Sequence, residues 1–232
     1  MTTFIVQQVA VGETDLGEDA AHHAQVRRLS VGDSVAVTDG RGHVGVGQVD
    51  SLGKRSLIVI VDRVRAVLAP PAVHLFLPVA DRDRMLWLAE KATELQIASW
   101  NPVMYRRSRS VTPRGEGDIF DRKARARMVS ALEQSGGAWL PAMSPVIDVE
   151  AMPSVAPGSR YLLERGCAPL GIAKSLAAPV SLAIGPEGGF DAEEVWLLDQ
   201  SGWTGASLGN VTLRFETAAI AAVAVARAAL AP

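Results

Sequence analysis

An α/β fold preceded by a small β-rich unit is predicted by three features of the sequence. Residues 3–62 alternate apolar and polar side chains with the two-residue period of a β-strand, and Asp39-Gly40 is a turn signal between two strand candidates. Farther along the chain, short apolar runs alternate with helical patterns, which is typical of a mostly parallel sheet. The Pro70-Pro71 pair separates these two regions. We therefore expect a small β-barrel over 1–69 and an α/β domain over 72–232.

The individual elements follow from the spacing of the apolar positions. In the first unit, strands are predicted at 4–6, 34–37, 44–47 and 56–61, so this unit is expected to be all β. In the second, strands are predicted at 73–79, 161–163, 180–184 and 206–208, with a further strand ending at 103–104. Helices are predicted at 81–95, 120–135 and 217–230. The last helix is apolar nearly all round, which predicts that it is buried.

The charge of the chain is unevenly distributed. The net charge is −2, which by itself argues weakly against binding to nucleic acid. Residues 106–127, however, hold eight basic and three acidic side chains, a local charge of +5. This basic stretch is expected either to contact phosphate groups or to form a solvated helix face.

Composition restricts the compartment and the chemistry. The single cysteine, Cys167, excludes an internal disulfide and is more typical of a structural thiol than of a nucleophile. Neither a signal peptide nor an uncharged run of membrane-spanning length is recognisable, so we expect a cytoplasmic protein that does not enter a membrane. The histidines and the cysteine form no metal-ligand spacing, and we expect no metal.

The most informative segment is the glycine-rich loop that follows the predicted strand at 180–184. It reads Gly-Pro-Glu-Gly-Gly-Phe over 185–190 and leads to Asp191, a predicted N-cap with Glu194 as its capping-box partner. Glycines at such a position let the backbone approach a ligand closely. The spacing is neither that of a phosphate-binding P-loop nor that of a dinucleotide-binding loop. An ordinary turn between strand and helix is the alternative.

A second loop, 208–219, also follows a predicted strand and leads into a helix. It carries Arg214 and Glu216 in an otherwise apolar setting. In parallel sheets, ligands bind at the carboxyl ends of the strands. The loops after 163, 184 and 208 are therefore expected to form one ligand site.

Four motifs carry a resemblance to a known family. They are IGPEGG at 184–189, LGNVTLRFETA at 208–218, KATEL at 91–95 and EQSG at 133–136. In this order they resemble the SPOUT-class methyltransferases that modify N3 of a uridine in 16S ribosomal RNA. The segment 23–29 is similar to the N-terminal region of the same family, so the resemblance covers nearly the whole chain.

The resemblance implies a C-terminal SPOUT domain with a trefoil knot and an N-terminal PUA-like barrel that helps to bind RNA. It further implies S-adenosylmethionine as cofactor, 16S rRNA of the small ribosomal subunit as partner, and a homodimer. The implied catalytic residues are Arg214 and Glu216. The implied cofactor-binding residues are Leu163, Glu164, Ile184, Gly185, Pro186, Glu187, Gly188, Leu208, Gly209, Asn210 and Leu213. The implied RNA-binding residues are Arg28, Arg106, Arg107, Arg109, Glu133 and Gln134.

Several alternatives stay open at this point. Arg214 either stabilises negative charge on the uracil or forms a salt bridge with Glu216 or Glu187. The family usually has arginine where this chain has Gly137 and Val211, so two basic groups are missing near the expected site. A methyltransferase of the same fold that acts on another RNA position, or a non-catalytic assembly factor that binds RNA, is the alternative function.

Overall fold

The computed structural model describes residues 1–110, 112–172 and 176–230, with the side chains of 109, 110 and 172 excepted. The chain divides into two compact units. The first comprises 1–69 and 129–140, and the second comprises 70–128 and 141–232. Residues 129–140, which the sequence pattern assigned to the second domain, therefore cluster with the first unit.

The first unit is built on a five-stranded, mostly antiparallel sheet. Its elements are β1 (Thr2–Ile5), β2 (Gly12–Asp15), α1 (Gly17–Val26), β3 (Ser34–Thr38), β4 (His43–Leu52) and β5 (Leu57–Ala66). The strand order is β1-β3-β4-β5-β2, and only the pair β1 and β3 is parallel. Apolar side chains from the sheet, among them Phe4 and Val59, pack with Ala21 and Ala24 of α1.

Helix α1 shows that the expectation of an all-β unit was wrong. Only Ala21 and Ala24 of this helix are buried, and its other residues are largely polar. Since two small side chains produce almost no apolar period, the helical pattern was not visible in the sequence.

The second unit alternates strands and helices as predicted. Its elements are β6 (Val73–Pro78), α2 (Arg82–Glu94), β7 (Ser99–Met104), the part of α3 (Asp118–Ser135) up to residue 128, β8 (Ala142–Met143), β9 (Ile147–Asp148), α4 (Met152–Val155), β10 (Ser159–Leu163), β11 (Val180–Ile184), α5 (Ala192–Gln200), β12 (Thr204–Ala206) and α6 (Phe215–Leu230). The sheet has the order β12-β10-β11-β6-β7-β8, with β9 also paired to β7, and its pairings are parallel. The predicted parallel α/β domain beside a small β unit is thus confirmed, whereas the trefoil knot stays a prediction.

Helix α6 is buried along one face only, which corrects the expectation that it is buried all round. Phe215, Ala219, Ala222, Val223 and Ala226 are buried, and the helix packs on α2, β6 and β11. The exposed positions of the helix are Thr217, Ala224, Ala228 and Ala229. An alanine-rich helix can leave one side in solvent because alanine exposes little apolar surface. Across the described residues, no helix is both long and apolar enough to cross a membrane.

Candidate active site

A cavity of 420 Å³ lies where the carboxyl ends of β10, β11 and β12 meet. The three strands run parallel and side by side, so the loops that follow them emerge at the same edge of the sheet. The residues that line the cavity are Arg107, Leu163, Glu164, Arg165, Ile184, Gly185, Pro186, Glu187, Gly188, Gly189, Phe190, Leu208, Gly209, Val211, Thr212, Leu213, Phe215 and Ala218. The structure therefore brings the two glycine-containing loops together, as the sequence led us to expect.

Most of the predicted cofactor residues lie in this lining, and Asn210 is the exception. The sequence reasoning missed the aromatic walls Phe190 and Phe215, and also Ala218, which comes from the first turn of α6. Arg107, which was predicted to bind RNA, lines the cavity as well. Phe190 directly follows the first motif, and Phe215 and Ala218 lie inside the second, but nothing in the local pattern distinguished these three from core positions.

Two glycines of the loops have different structural reasons. A Cβ on Gly185 would lie 3.0 Å from the ring of Phe190, so this glycine makes room for an aromatic wall of the cavity. The ring of Phe190 in turn packs edge-on against Tyr105, with 5.2 Å between the centroids. A Cβ on Gly209 would meet no atom within 4 Å, but its φ of +132° favours glycine. Gly209 therefore shapes the backbone of the second loop beside open space.

The predicted cap of α5 is present and has an additional function. The Asp191 side chain accepts a hydrogen bond from the Glu193 amide, and Glu194 Oε2 accepts one from the Asp191 amide, which completes the capping box. The second oxygen of Glu194, a residue only 2% exposed, accepts a hydrogen bond from the Arg106 amide at 2.8 Å. Glu194 thus ties the segment after β7 to the glycine-rich loop.

The side chains of Arg106 and Arg107 also contact this loop and the start of α5. Arg106 forms ion pairs with Asp191 and Glu193, and its hydrogen bond to Glu193 raises its pKa. Arg107 Nη1 donates to the Gly188 carbonyl at 2.6 Å, and its Nη2 lies 3.7 Å from Asp191 Oδ2. Two of the arginines predicted to hold RNA phosphate are therefore engaged within the protein, Arg107 with the glycine-rich loop and Arg106 with the start of α5.

A third arginine, Arg84 of α2, contacts both motif loops. Its Nη1 donates to Glu187 Oε1, and its Nε lies 4.0 Å from Glu216 Oε1. Arg214 is exposed and forms no ion pair with any other residue that the structure describes. The two carboxylates considered as salt-bridge partners of Arg214, Glu187 and Glu216, therefore pair with Arg84 instead. No sequence motif indicated Arg84.

The remaining predicted RNA-binding residues lie elsewhere. Arg28 is exposed and has a left-handed backbone, with φ of +58°. Glu133 accepts a hydrogen bond from the Ile5 amide at 2.9 Å and lies 3.9 Å from His23, so its carboxylate supports β1 within the first unit. Gln134 is exposed in the last turn of α3. The side chain of Arg109 lies outside the described residues.

The cavity is suited to an organic ligand that carries both apolar and charged groups. Apolar side chains form much of its wall, and its charged lining residues are Glu164, Glu187, Arg107 and Arg165. A volume of 420 Å³ is in the usual range for a small-molecule site. Within the described part of the chain, no group of three or more His, Cys, Asp or Glu residues is placed to hold a metal ion.

The fold and this cavity define the class as an α/β domain with a small-molecule site, joined to a small β unit. Residues 68–227 match the RNA methyltransferase domain, and residues 16–62 match the RNA methyltransferase PUA domain. The chain belongs to this RNA methyltransferase family, which includes the ribosomal RNA small subunit methyltransferases E.

Proteins from several bacteria resemble the chain over most of its length. The ribosomal RNA small subunit methyltransferase E of Mycobacterium bovis is 30% identical over 224 residues, covering 89% of this chain and 82% of the relative. The enzyme of the same name from Neisseria gonorrhoeae, solved with S-adenosyl methionine, has a TM-score of 0.87 at 23% identity and covers 98% of this chain and 97% of its own. A Legionella pneumophila protein solved in complex with the same cofactor has a TM-score of 0.86 at 24% identity, with the same coverage. These two structures establish the likeness of the fold.

Proposed function

We propose that the chain binds S-adenosylmethionine in this cavity and transfers its methyl group to N3 of a uridine in 16S rRNA. The observation that carries the proposal is the convergence of the 185–190 loop and the 208–214 loop on one cavity, in a chain of an RNA methyltransferase family. Both loops contain the motifs on which the resemblance rests.

The residues present fit this cofactor. Leu163, Ile184, Leu208, Leu213 and Phe215 offer apolar surface for the adenosine and for the carbons attached to the sulfonium. The carboxylates of Glu164 and Glu187 suit the positive charge of the ammonium and sulfonium groups. When bound, S-adenosylmethionine supplies an electrophilic methyl group.

The contribution of the chain is positioning and electrostatic support. Uridine N3 carries a proton that passes to solvent, so negative charge develops on the uracil oxygens as it leaves. Arg214 lies between two cavity-lining residues, Leu213 and Phe215, and its exposed guanidinium is free to stabilise that charge. Glu216 is only 8% exposed and does not line the cavity, so we assign the contact with the reacting base to Arg214.

Methyl transfer is tested directly with labelled S-adenosylmethionine. The chain is incubated with naked 16S rRNA and, separately, with assembled small subunits, and the modified nucleosides are mapped by mass spectrometry. N3-methyluridine is the expected product. A methylated ribose would favour the alternative target, and cofactor binding without transfer to either substrate would favour an assembly factor.

The placement of the cofactor is tested at Ala218. Ala218→Leu enlarges a side chain on the cavity wall while leaving a good helix former in α6. We expect the affinity for S-adenosylmethionine, measured by calorimetry, to fall at least tenfold. Ala229→Leu, an exposed position on the same helix, is the matched control and should bind normally. Equal affinities in the two variants would place the cofactor elsewhere.

We further propose that the chain works as a homodimer in the cytoplasm, as the resemblance implies. The exposed apolar positions Ala224 and Ala228 of α6 are compatible with a second copy. Light scattering should give twice the chain mass of 24.5 kDa. A mass equal to that of one chain at micromolar concentration would contradict the dimer.

A further inference from the structure

Arg84 connects two segments that are far apart in the sequence. It lies in the first turn of α2, where Asp81 is the N-cap. Its guanidinium donates to Glu187 in the loop after β11 and lies 4.0 Å from Glu216 in the first turn of α6. One side chain therefore links the glycine-rich loop to the start of α6, the helix that contributes Phe215 and Ala218 to the cavity lining.

The two carboxylates differ in their exposure to water, and therefore in how far each depends on Arg84 for a positively charged partner. The Glu187 side chain is 52% exposed and lines the cavity, so water can take the place of the guanidinium there. Glu216 is buried, and its Oε2 has no hydrogen-bond partner. The helix N-terminus favours a carboxylate at this position, and Arg84 is its ion-pair partner among the described residues. Glu216 thus attracts the guanidinium across 4.0 Å, and the guanidinium donates its hydrogen bond to Glu187.

We propose that Arg84 is a positioning residue for the cofactor: it holds the 185–189 loop against the start of α6 so that the Glu187 carboxylate stays at the cavity rim. This inference rests on the proposed function, because it takes S-adenosylmethionine as the ligand. A guanidinium suits the task because it offers several N–H groups in a fixed plane to two acceptors at once. A lysine ammonium is a single point charge and would satisfy only one carboxylate well.

The test compares Arg84→Gln and Arg84→Lys with Arg82→Gln. Arg82 is the matched control, since it lies in the same helical turn and its side chain pairs only with its neighbour Asp83 among the described residues. Hydrogen exchange of the 185–189 amides is measured without ligand, and the Kd for S-adenosylmethionine is measured by calorimetry. We expect both Arg84 variants to exchange faster in this loop and to bind about fivefold more weakly, the effect of losing a partly exposed ion pair. Arg82→Gln should match the unchanged chain in both measurements.

The conservative variant separates positioning from charge compensation. If Arg84 only neutralised the buried Glu216, Arg84→Lys would restore both the loop and the affinity, and this result would overturn the proposal. Failure of both variants to fold would assign Arg84 to the fold and would also overturn it. If Arg84→Gln alone fails to fold, Arg84→Lys still gives the answer.

A double-mutant cycle with Glu187→Gln tests the proposed route. If Arg84 acts through Glu187, the double variant should bind S-adenosylmethionine no more weakly than whichever single variant has the lower affinity. Additive losses of affinity would show that Arg84 acts by another route. Failure of the proposed function is recognised separately, because the unchanged chain would then not bind S-adenosylmethionine while the exchange measurement still reports on the loop.

Discussion

Arg84, Arg107 and Arg214 lie in or next to the cavity, which Arg165 also lines, and each of the three has a different environment. Arg84 is held by two carboxylates, Arg107 by a carbonyl and Asp191, and Arg214 is exposed at the end of the second loop. A guanidinium that is already engaged supports the protein, whereas an exposed one is available to a substrate.

Replacement of Arg214 by alanine should reduce turnover and leave cofactor binding intact. The side chain has no ion-pair partner in the described structure, so its loss removes no structural interaction of that kind. Removing one well-placed donor to a developing negative charge typically lowers the rate by about a hundredfold or more. Single-turnover methylation measures the rate, and calorimetry measures the affinity. A near-normal rate would refute the catalytic role.

Replacement of Arg107 by alanine should weaken cofactor binding. Arg107 lines the cavity and donates to the Gly188 carbonyl, so its loss frees the glycine-rich loop. We expect the Kd for S-adenosylmethionine to rise about tenfold, the effect of removing one hydrogen bond from a charged group. Arg125→Ala, at an exposed position of α3, is the control and should leave the Kd unchanged. A normal Kd combined with weakened RNA binding would instead support a phosphate-binding role for Arg107.

At the scale of elements, α6 is connected to α2 at both of its ends. Near its N-terminus the contact runs through Arg84 and Glu216. Near its C-terminus the Arg227 guanidinium donates to the carbonyls of Leu95, Gln96 and Pro71. The first two carbonyls follow the end of α2, and the third belongs to the segment that leads into β6. Burial lowers the pKa of Arg227, but an arginine stays charged at any pH that the protein meets.

Arg227→Met should therefore destabilise the second unit without touching the cavity. Three carbonyls lose a donor, and we expect the free energy of unfolding to fall by about 2 kcal/mol, which corresponds to about 4 to 8 °C in Tm. Thermal denaturation followed by circular dichroism measures this change. Arg55→Met is the control, because Arg55 is highly exposed and should shift Tm by little. If Tm instead stays close to that of the unchanged chain, water replaces the guanidinium.

At the scale of the whole molecule, the basic stretch divides into engaged and available charges. Arg106 and Arg107 contact the glycine-rich loop and α5, and Arg114 pairs with Glu116. The α3 side chains Arg122, Lys123 and Arg125 are exposed and form no ion pair with another described residue. We expect these three to bind phosphate groups of the RNA.

Changing these three α3 residues to glutamine should lower the affinity for RNA and should also make that affinity less dependent on salt. Removal of each phosphate-binding side chain lowers the slope of log K against log salt by about one, so the slope should fall by about two to three. Arg106→Gln is the control and should change the slope little, because this guanidinium is already neutralised by Asp191 and Glu193. Filter binding from low to high salt gives both slopes. An unchanged slope in the triple variant would show that α3 is only a solvated face.

The sequence by itself determined the features that depend on neighbouring residues. The buried strand Val180–Ile184, the turn after it, and the Asp191 cap with Glu194 are set by apolar spacing, glycine and capping chemistry within a few residues. Because parallel strands end at one edge of a sheet, the same reasoning led to a common site for the loops.

Only the tertiary structure decided which charges meet across the fold. Arg84 and Glu187 are 103 positions apart, and Arg106 and Glu194 are 88 apart, so no local period signals either contact. Helix α1 buries only two alanines, and the exposed side of α6 is as rich in alanine as its buried side. In each case the deciding interaction is a contact with a segment that is distant in the sequence. Short-range patterns could not reveal these contacts, because they carry information only about a residue's near neighbours in the chain.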